Sequence, residues 1–371
     1  MKVVQILPEL NAGGVEGHLL ELAGFLASQG HESIVISNGG HMVEKLEQHG
    51  VRHVTMPVHR KSLRSLFQVR KLRAWLRDEK PDIVHAHSRV PAWIAWLALR
   101  GMDPLTRPKF VTTVHGFYSV NAYSAIMTRG DRVIAVSESV RGYIHSNYPN
   151  TDPKRIEVIP NGVDPAIYHP SFKPSDAWLA QWRNEHPELV GKKLLILPGR
   201  ITRLKGHSDF FQLISELKKS GQPVCGLIAG NTHPKKRAYL DELHQKAESL
   251  GIANDIIFLG HRNDLRELMA VSDIVMALSQ QPESFGLTVL EALALGRPVV
   301  GYDCGGVGEL LAALYPTGKV PPGSSSELSL TTSQILKNPS RPSPNELFKL
   351  EKSLATTADI YAHFGKNHGR K

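Results

Sequence analysis

The segment from Pro282 to Glu291 carries two glutamates on either side of a short apolar stretch. If all of it were helical, Glu283 and Glu291 would lie about 80° apart around the axis and about two turns apart along it, too far to share one small ligand. We therefore expect Glu283 to lie on a loop and the helix to begin near Ser284, a good N-cap residue. The alternative is an amphipathic helix with one acid before it and one on its exposed face.

The first N–H groups of such a helix have no intrahelical partners. Here they belong to Phe285, Gly286 and Leu287. Together with the Glu283 carboxylate they would form a cup for a polyhydroxylated ligand. Glu291, further inside the helix, would accept hydrogen bonds from hydroxyls further along that ligand.

Cations that could bind phosphate follow the predicted strand Leu194–Leu197. Arg200 can hold phosphate oxygens with its forked guanidinium, and Lys205 adds a second positive charge. Both would face a diphosphate. The alternative is that they are two solvated surface cations.

A glycine-rich loop, Asn11–Gly17, joins the first predicted strand to its helix. Gly13 and Gly14 would let the backbone approach an anion that is attracted to the helix N-terminus. The loop is not a G-x-G-x-x-G motif, and the second strand ends in Ser37-Asn38 instead of an acid, which argues against a dinucleotide site. A plain flexible loop is the alternative.

His115 follows a strand, where open α/β sheets place their ligand crevice. A histidine there can bind a sugar or assist proton transfer, although any one of the 18 histidines can instead be structural. His85 and His87 end another strand without a third ligand in view, so we expect no metal site. The chain also lacks a D-x-D motif, so we expect Arg, Lys and backbone amides, not a divalent ion, to neutralise a leaving diphosphate.

The composition is that of a globular protein of two domains. The chain has 371 residues, 41% of them hydrophobic, and a net charge of +9 that favours anionic partners such as nucleotides, acidic lipid head groups or nucleic acid. Cys225 and Cys304 form no C-x-x-C pair, which favours a reduced, cytoplasmic compartment. The start at Lys2–Leu7 is too short for a signal peptide, and the longest apolar run, Val90–Leu99, falls far below the ~20 residues of a membrane span.

Short β-branched runs alternate with helical periodicity, which predicts an α/β protein with open parallel sheets. The expected strands are Val3–Leu7, Ile34–Ser37, Ile83–Val84, Phe110–Val114, Val133–Val136, Leu194–Leu197, Val224–Ala229, Ile256–Leu259, Ile274–Ala277 and Pro298–Tyr302. Turn signals from Pro160 to Asp164 separate two similar halves. We expect domains at 1–168 and 175–340, and a helical tail at 345–371, with Leu347, Leu350 and Leu354, that packs back on the first.

In chain order these motifs resemble the retaining glycosyltransferases of family four. The matching elements are Gly13-Gly14, His115, Pro160–Asp164, Gly199-Arg200 with Lys205-Gly206, Glu283–Glu291, and Gly305-Gly306 with Glu309. The resemblance implies the GT-B fold, two facing Rossmann-like domains with parallel sheets and a deep interdomain cleft. One departure is the stretch Leu310–Tyr315, which is more apolar than the usual loop of that family.

The resemblance also implies roles for single residues and a nucleotide-diphosphate sugar as donor. Arg200 and Lys205 would stabilise the diphosphate, and Glu291 would hold the donor ribose. Glu283 and the amides of Phe285, Gly286 and Leu287 would hold the transferred sugar, and Gly260, His261 and Arg262 would cradle the base. His115 would lie beside the reacting sugar, and transfer would occur on the front face with retained anomeric configuration.

A narrower resemblance is to transferases that build bacterial lipopolysaccharide core by attaching mannose or glucose to a lipid-anchored acceptor. It is carried by His87–Trp93 and Met127–Ala135, in which Arg89 and Arg129 would contact phosphates or carboxylates of the acceptor.

The basic segment Arg60–Lys80 could then lie on the anionic cytoplasmic face of the inner membrane. Its apolar residues are Leu63, Leu66, Phe67, Leu72 and Leu76, and its basic residues are Arg60, Lys61, Arg64, Arg70, Lys71, Arg73 and Arg77. The alternative is a domain helix whose apolar face is core and whose basic face is solvated.

We therefore expect a retaining hexosyltransferase that uses a nucleotide sugar and no metal cofactor, acts on a lipopolysaccharide-core or related lipid-linked glycan, and binds no nucleic acid. A nucleotide-sugar epimerase of similar fold is the alternative within enzymes. A basic protein that binds membrane or nucleic acid is the alternative outside them, and it would leave the glutamate pair unexplained.

Overall fold

The computed structural model describes residues 1–11, 13–61, 65–232 and 237–366. The chain forms two compact units, an N-terminal unit made of Met1–Asn161 and the segment from Leu350 onwards, and a C-terminal unit made of Gly162–Lys349. The chain therefore passes from one unit to the other after Asn161 and again after Lys349. The sequence instead predicted domains at 1–168 and 175–340 and a helical tail at 345–371.

The N-terminal unit is built on a seven-stranded parallel sheet with the strand order β3-β2-β1-β4-β5-β6-β7. Its strands are β1 (Lys2–Ile6), β2 (Glu32–Ser37), β3 (Arg52–Thr55), β4 (Ile83–Ala86), β5 (Lys109–Val114), β6 (Arg132–Ala135) and β7 (Ile156–Val158). Its helices are α1 (Gly14–Ser28), α2 (Val43–Gln48), α3 (Ser65–Glu79), α4 (Arg89–Arg100), α5 (Glu138–Asn147) and the C-terminal helix α13 (Leu350–Lys366).

The C-terminal unit repeats this plan with a six-stranded parallel sheet in the order β10-β9-β8-β11-β12-β13. Its strands are β8 (Lys193–Pro198), β9 (Val224–Ala229), β10 (Ile256–Gly260), β11 (Ile274–Ala277), β12 (Val299–Tyr302) and β13 (Lys319–Val320). Its helices are α6 (Asp176–Glu185), α7 (His207–Lys219), α8 (Arg237–Ser249), α9 (Leu265–Val271), α10 (Leu287–Ala294), α11 (Gly305–Leu314) and α12 (Ser325–Lys337).

The α/β class with two Rossmann-like parallel-sheet domains, expected from the sequence, is confirmed. Three strands were not anticipated: β3, β7 and β13, each at the edge of its sheet. They are two to four residues long, with burial patterns that include exposed or half-buried positions. An edge strand of this kind lacks the continuous apolar run that identifies a central strand buried on both faces.

The C-terminal helix belongs to the core of the N-terminal unit. Leu354, Ile360 and Tyr361 of α13 pack with Val3 and Ile83 of the central strands. The helix begins at Leu350, five residues after the expected start of the helical tail at residue 345, and Leu347 is exposed.

Helix α3 differs from the amphipathic membrane helix considered above. Leu72 and Leu76 are fully buried, so its apolar face is domain core. Arg73 donates hydrogen bonds to the carbonyls of Leu97 and Ala98, and Arg77 donates to the carbonyl of Gly101. These two cations satisfy the last carbonyls of α4 and complement its dipole. Leu63 and Arg64, and the side chain of Leu66, lie outside the described residues.

In the part of the chain that the structure describes, no helix combines the length and the apolar character needed to span a bilayer.

Candidate active site

The C-terminal unit has a narrow cavity at the point where the strand order of its sheet reverses. The first strand of this half, β8, lies between β9 and β11, so the connections on its two sides run in opposite directions. Ligands of open α/β sheets bind outside the carboxyl ends of the strands at such a point. A cavity of about 50 Å³ lies there, lined by Gly199 after β8, by Ser279 after β11, and by Lys205 and Glu283.

Lys205 and Glu283 form the polar centre of this cavity. The Lys205 ammonium donates to Oε1 of Glu283 at 2.6 Å, and the Ser279 hydroxyl donates to the same oxygen. The two charged side chains are 30% and 29% exposed, so the pair lies at the mouth of the cavity and contributes little net stability. A more highly charged anion such as a diphosphate can therefore compete for Lys205 at small energetic cost.

The helix after Glu283 starts later than the sequence indicated. Glu283 lies on a loop, as expected, but α10 begins at Leu287 and its N-cap is Gly286, not Ser284. Glu283 is held in a bridge with Gly305, and its carbonyl accepts from the amide of Gly306 at 2.8 Å, so the backbone at Glu283 is not available to start a helix.

Two glycines make this loop geometry possible. Gly286 has a φ of 93°, in the left-handed region that glycine tolerates. A Cβ atom on Gly306 would collide with the backbone of Phe285. The free amides at the start of α10 therefore come from Leu287 and the residue after it, Thr288, which lines the cavity.

Glu291 lies apart from the cavity lining, and the Tyr168 hydroxyl donates a hydrogen bond to it. Burial raises the pKa of Glu291 from 4.5 to about 7, and the hydrogen bond from Tyr168 opposes part of this rise. Burial, together with the adjacent Glu291, also raises the pKa of Tyr168. Glu291 is thus a buried acid that changes charge near neutral pH.

The remaining predicted donor residues also lie at strand ends of this sheet. Arg200 follows β8 and is exposed, while Gly260 closes β10 with a φ of 66°. His261 is exposed. The Arg262 guanidinium is held in a two-pronged ion pair with Asp264, at 2.8 and 2.6 Å, so its position is fixed before any ligand binds.

The apolar stretch Leu310–Tyr315, noted above as a departure, forms the inner face of α11 and its end. Leu310, Leu311, Leu314 and Tyr315 are at most 2% exposed. Their apolar character is explained by packing in the core of the unit.

The N-terminal unit places a histidine cluster at its own reversal of strand order, between β1 and β4. Gln5 lies on β1, His87 follows β4, and His115 follows β5. Nε2 of His87 lies 3.0 Å from Oε1 of Gln5, and Nδ1 of His87 lies 3.0 Å from Nε2 of His115. His85, on β4, is bonded separately to Tyr361 and Thr113.

The order of donors and acceptors along this series of hydrogen bonds indicates which nitrogen of His115 carries the proton. In this orientation of the Gln5 amide, Oε1 faces His87 and can only accept, so Nε2 of His87 donates and its Nδ1 accepts from Nε2 of His115, while the Gln5 Nε2 is buried without a partner among the described residues. Nδ1 of His115 therefore has a free lone pair. Burial, followed by the neighbouring His18 and His85, holds the pKa of His115 well below its usual value, so its ring stays neutral. A neutral imidazole of this kind can accept a hydrogen bond from a sugar hydroxyl.

In the glycine-rich loop of the N-terminal unit, a side chain of the protein fills part of the space where an anion would bind. Gly13 is the N-cap of α1, Gly14 is its first residue, and both are exposed. The Glu16 carboxylate lies against Gly13, where a Cβ atom would collide with it. An incoming phosphate would therefore have to displace Glu16 from this end of the helix.

The structure separates the two arginines that the sequence grouped together. Arg89 starts α4 at the carboxyl edge of the sheet, donates to Ser124 at 3.1 Å and stacks on Tyr118. Arg129 precedes β6, at the edge where strands begin, and stacks on Trp96. Only Arg89 therefore lies on the same edge of the sheet as His115.

Three polar residues of these sites were not identified from the sequence: Ser279, Tyr168 and Gln5. Ser279 follows a predicted strand, a position that could have been noticed. Tyr168 and Gln5 are distant in sequence from the groups that they contact, so no local pattern indicated them. Among the described residues, no three His, Cys, Asp or Glu side chains are grouped so that they could hold a metal ion.

Comparison with known proteins agrees with this geometry. Residues 12–167 match the family described as Glycosyltransferase Family 4, and residues 180–352 match Glycosyl transferases group 1. The chain is 28% identical over 320 residues to N-acetyl-alpha-D-glucosaminyl L-malate synthase of Bacillus anthracis, covering 82% of this chain and 79% of that protein. It is 30% identical over 186 residues to the lipopolysaccharide core biosynthesis mannosyltransferase LpsB of Rhizobium meliloti, covering 50% and 49% of the two proteins.

Solved structures show the same fold over the whole chain. A glycosyltransferase from Rickettsia africae superposes with a TM-score of 0.85 at 26% identity and covers 99% of both chains. Anabaena HepE, solved in complex with UDP and glucose, superposes with a TM-score of 0.80 at 22% identity and covers 98% of this chain and all of the other.

These matches decide against the epimerase and the non-enzymatic binding protein, and they support a nucleotide sugar as donor. The narrower resemblance to enzymes of lipopolysaccharide core is not established by them, because the relatives differ in the products that their names state. With a family 4 domain followed by a group 1 domain on two parallel-sheet units, the chain is a glycosyltransferase of the GT-B class.

Proposed function

We propose that this enzyme transfers a hexose of the glucose or mannose type, with retained anomeric configuration, from a nucleotide-diphosphate sugar to a lipid-linked glycan of the lipopolysaccharide-core kind. The observation that supports the proposed donor, a nucleotide-diphosphate sugar, is the contact between Lys205 and Glu283 at the reversal of strand order. It joins a cation suited to a diphosphate with an acid suited to sugar hydroxyls in one small cavity.

We propose the following roles for single residues. Lys205 and the exposed Arg200 stabilise the departing diphosphate. Glu283 and the free amides of Leu287 and Thr288 at the start of α10 hold the sugar. Glu291 accepts a hydrogen bond from a ribose hydroxyl, which either protonation state of its carboxyl allows. The turn from Gly260 to Arg262 borders the base, and His115 accepts a hydrogen bond from the reacting sugar.

The acceptor half of the proposal is supported by the relative LpsB and by Arg89, whose guanidinium lies on the edge where β4 and β5 end. A second acceptor class is a small hydroxy acid, because the relative named as a malate synthase matches a larger share of this chain. The two classes differ in size and in the need for a membrane.

The decisive experiment is a nucleotide-release screen across common sugar nucleotides, each with a lipid-linked core-type glycan, with L-malate, or with no acceptor. We expect the lipid-linked glycan to stimulate release and the product to retain the anomeric configuration. Stimulation by malate alone would overturn the proposed acceptor but keep the donor chemistry. No release with any sugar nucleotide would contradict the donor chemistry as well.

Substitution of Lys205 tests the role of the cavity directly. We expect Lys205→Ala to lower the rate of transfer by about 10²–10³-fold, the usual effect of removing one group that stabilises a developing charge. Lys219→Ala, on the exposed end of α7, is the matched control and should keep the wild-type rate. A folded Lys205→Ala protein with wild-type turnover would contradict the assignment.

We further propose that contact with an anionic membrane uses the exposed side chains Phe67, Arg70 and Lys71, not the buried face of α3. Co-sedimentation with vesicles of phosphatidylglycerol and phosphatidylcholine checks this. We expect binding that falls as salt increases and that weakens in an Arg70→Glu, Lys71→Glu variant. Equal binding by that variant would contradict the proposal.

A further inference from the structure

A large groove lies in the N-terminal unit on the side opposite to the histidine cluster. It is about 560 Å³ in volume and is lined among others by Trp96, Arg129, Asn147, Tyr148, Asp152 and Arg155. We call it the Arg129 groove. Its volume falls within the ~300–1,000 Å³ range of small-molecule sites.

The register of the sheet shows that this groove is separate from the catalytic edge. Arg129 precedes β6 and Arg155 precedes β7, so both lie where strands begin. Val111 pairs with Arg132, and His115 lies four residues beyond Val111. At ~3.3 Å per residue, the level of His115 is about 13 Å along the strands from the level of Arg132. A ligand in the groove is therefore not in contact with His115.

The groove contains an arginine that contacts two tryptophan rings. The Arg129 guanidinium lies 4.7 Å from the centre of the Trp96 ring and 5.6 Å from that of Trp93. Arg100 lies 4.8 Å from the same Trp96 ring. In the described ranges, neither Arg100 nor Arg129 forms an ion pair with an acid. Contact with the two rings restricts the conformations of the exposed Arg129 side chain before binding, which lowers the entropy lost when it holds an oxyanion.

Other lining groups suit the hydroxyls of a sugar. Asn147 donates its Nδ2 to the carbonyl of Tyr143 at 2.8 Å, which leaves its Oδ1 to accept from a ligand. Asp152 faces Arg155 at 3.8 Å and accepts from the amide of Lys154, so its charge is already compensated and does not repel an anion strongly. The groove thus combines an arginine that has no ion pair within the described part of the chain, an aromatic wall and acceptors for hydroxyl groups.

We propose that the Arg129 groove is a second binding site, which takes a sugar that carries a phosphate or a carboxylate. Such a site would hold an acidic part of a glycan at the opposite end of the strands from His115. The proposal does not depend on the identity of the acceptor suggested above, because it concerns binding to the N-terminal unit alone.

Fluorine NMR of protein labelled with 5-fluorotryptophan tests the proposal. The chain has five tryptophans, and a Trp96→Phe variant assigns the resonance that reports on the groove. The probes are glucose 6-phosphate, glucuronate, glucose and inorganic phosphate. We expect the two acidic sugars to shift the Trp96 resonance, and glucose or phosphate alone to need at least ten-fold higher concentrations.

Arg129→Gln should weaken the binding of glucose 6-phosphate by roughly ten-fold or more, as expected for the loss of a charge-assisted hydrogen bond. Arg183→Gln, which removes an exposed arginine on α6, is the control and should bind like the wild type. The proposal is overturned if the acidic sugars leave the Trp96 resonance unmoved, or if Arg129→Gln binds as well as the wild type. Equal binding of inorganic phosphate would overturn the assignment of a sugar.

Discussion

At the scale of single residues, the structure links groups that are far apart in sequence into small units with defined proton positions. Gln5, His87 and His115 form one such unit, and with the Gln5 amide oxygen towards His87 we infer that Gln5 sets the tautomer of His115 through His87. Gln5 is thus a positioning residue, because it acts on His115 without standing next to it in the chain of hydrogen bonds.

We predict that Gln5→Leu alters the tautomer of His115. Without the acceptor oxygen, Nε2 of His87 has nothing to donate to, so both histidines can exchange their tautomers. Imidazole ¹⁵N chemical shifts should show the Nε2–H form of His115 in the wild type and a mixture in the variant. Gln5→Glu keeps an acceptor oxygen and should restore the Nε2–H form. An unchanged tautomer in folded Gln5→Leu would contradict the relay.

The raised pKa of Glu291 predicts that the stability of the protein depends on pH. Its pKa rises from 4.5 to about 7 on folding, so the folded state binds more protons than the unfolded state between these values. The resulting stabilisation is fully present below pH 4.5 and is lost as the pH rises through 7, a decrease of about 3 kcal/mol in the free energy of unfolding. Glu291→Gln should remove this decrease.

Urea unfolding at a series of pH values checks this prediction. The control is Glu248→Gln, which changes an exposed acid on α8 and should keep the pH dependence of the wild type. A Glu291→Gln protein with that same dependence would show that Glu291 is not the responsible group. In binding assays, Glu291→Ala should also weaken the affinity for the nucleotide sugar.

At the scale of elements, the approach of the N-terminus of α11 to the loop at Glu283 positions the proposed sugar site. The bridge between Glu283 and Gly305 and the bond from the Gly306 amide are backbone contacts, which require glycine at the crossing. This gives a physical reason for the Gly305-Gly306 pair noted in the sequence.

We predict that Gly306→Ala lowers the free energy of unfolding by about 2–3 kcal/mol, because the new methyl group must push the Phe285 backbone away. It should also lower the affinity for the donor, since Glu283 moves with that loop. Thermal unfolding and donor titration measure the two effects. Gly142→Ala, in helix α5 with nothing within 4 Å of the added atom, should be neutral or stabilising. Equal behaviour of the two variants would contradict the argument.

At the scale of the whole molecule, two sheets of the same design each place polar groups at the reversal of strand order. The proposed mechanism uses cations and backbone amides to supply the charge that a diphosphate needs. We predict that transfer continues in excess chelator. Nucleotide release with and without EDTA is the measurement. Loss of activity that a divalent metal restores would contradict a mechanism that relies on Lys205 and Arg200 alone.

The sequence by itself determined that the chain has two series of parallel strands, one in each half, because central strands buried on both faces are continuous apolar runs. It also determined that Gly199, Lys205 and His115 follow strands and that Glu283 lies on a loop, since turn glycines and polar residues interrupt the apolar runs. Local patterns could not reveal β3, β7 and β13, which are short and lie at sheet edges.

Only the tertiary structure decided which of these strand ends meet. Lys205 and Glu283 are 78 positions apart, and Gln5 and His87 are 82 apart, yet each pair is in contact because β8 neighbours β11 and β1 neighbours β4. The same topology places Arg129 at the opposite edge of the sheet from Arg89, although one resemblance had grouped the two motifs that contain them. Strand order and register are set by long-range packing, and no spacing along the chain encodes them directly.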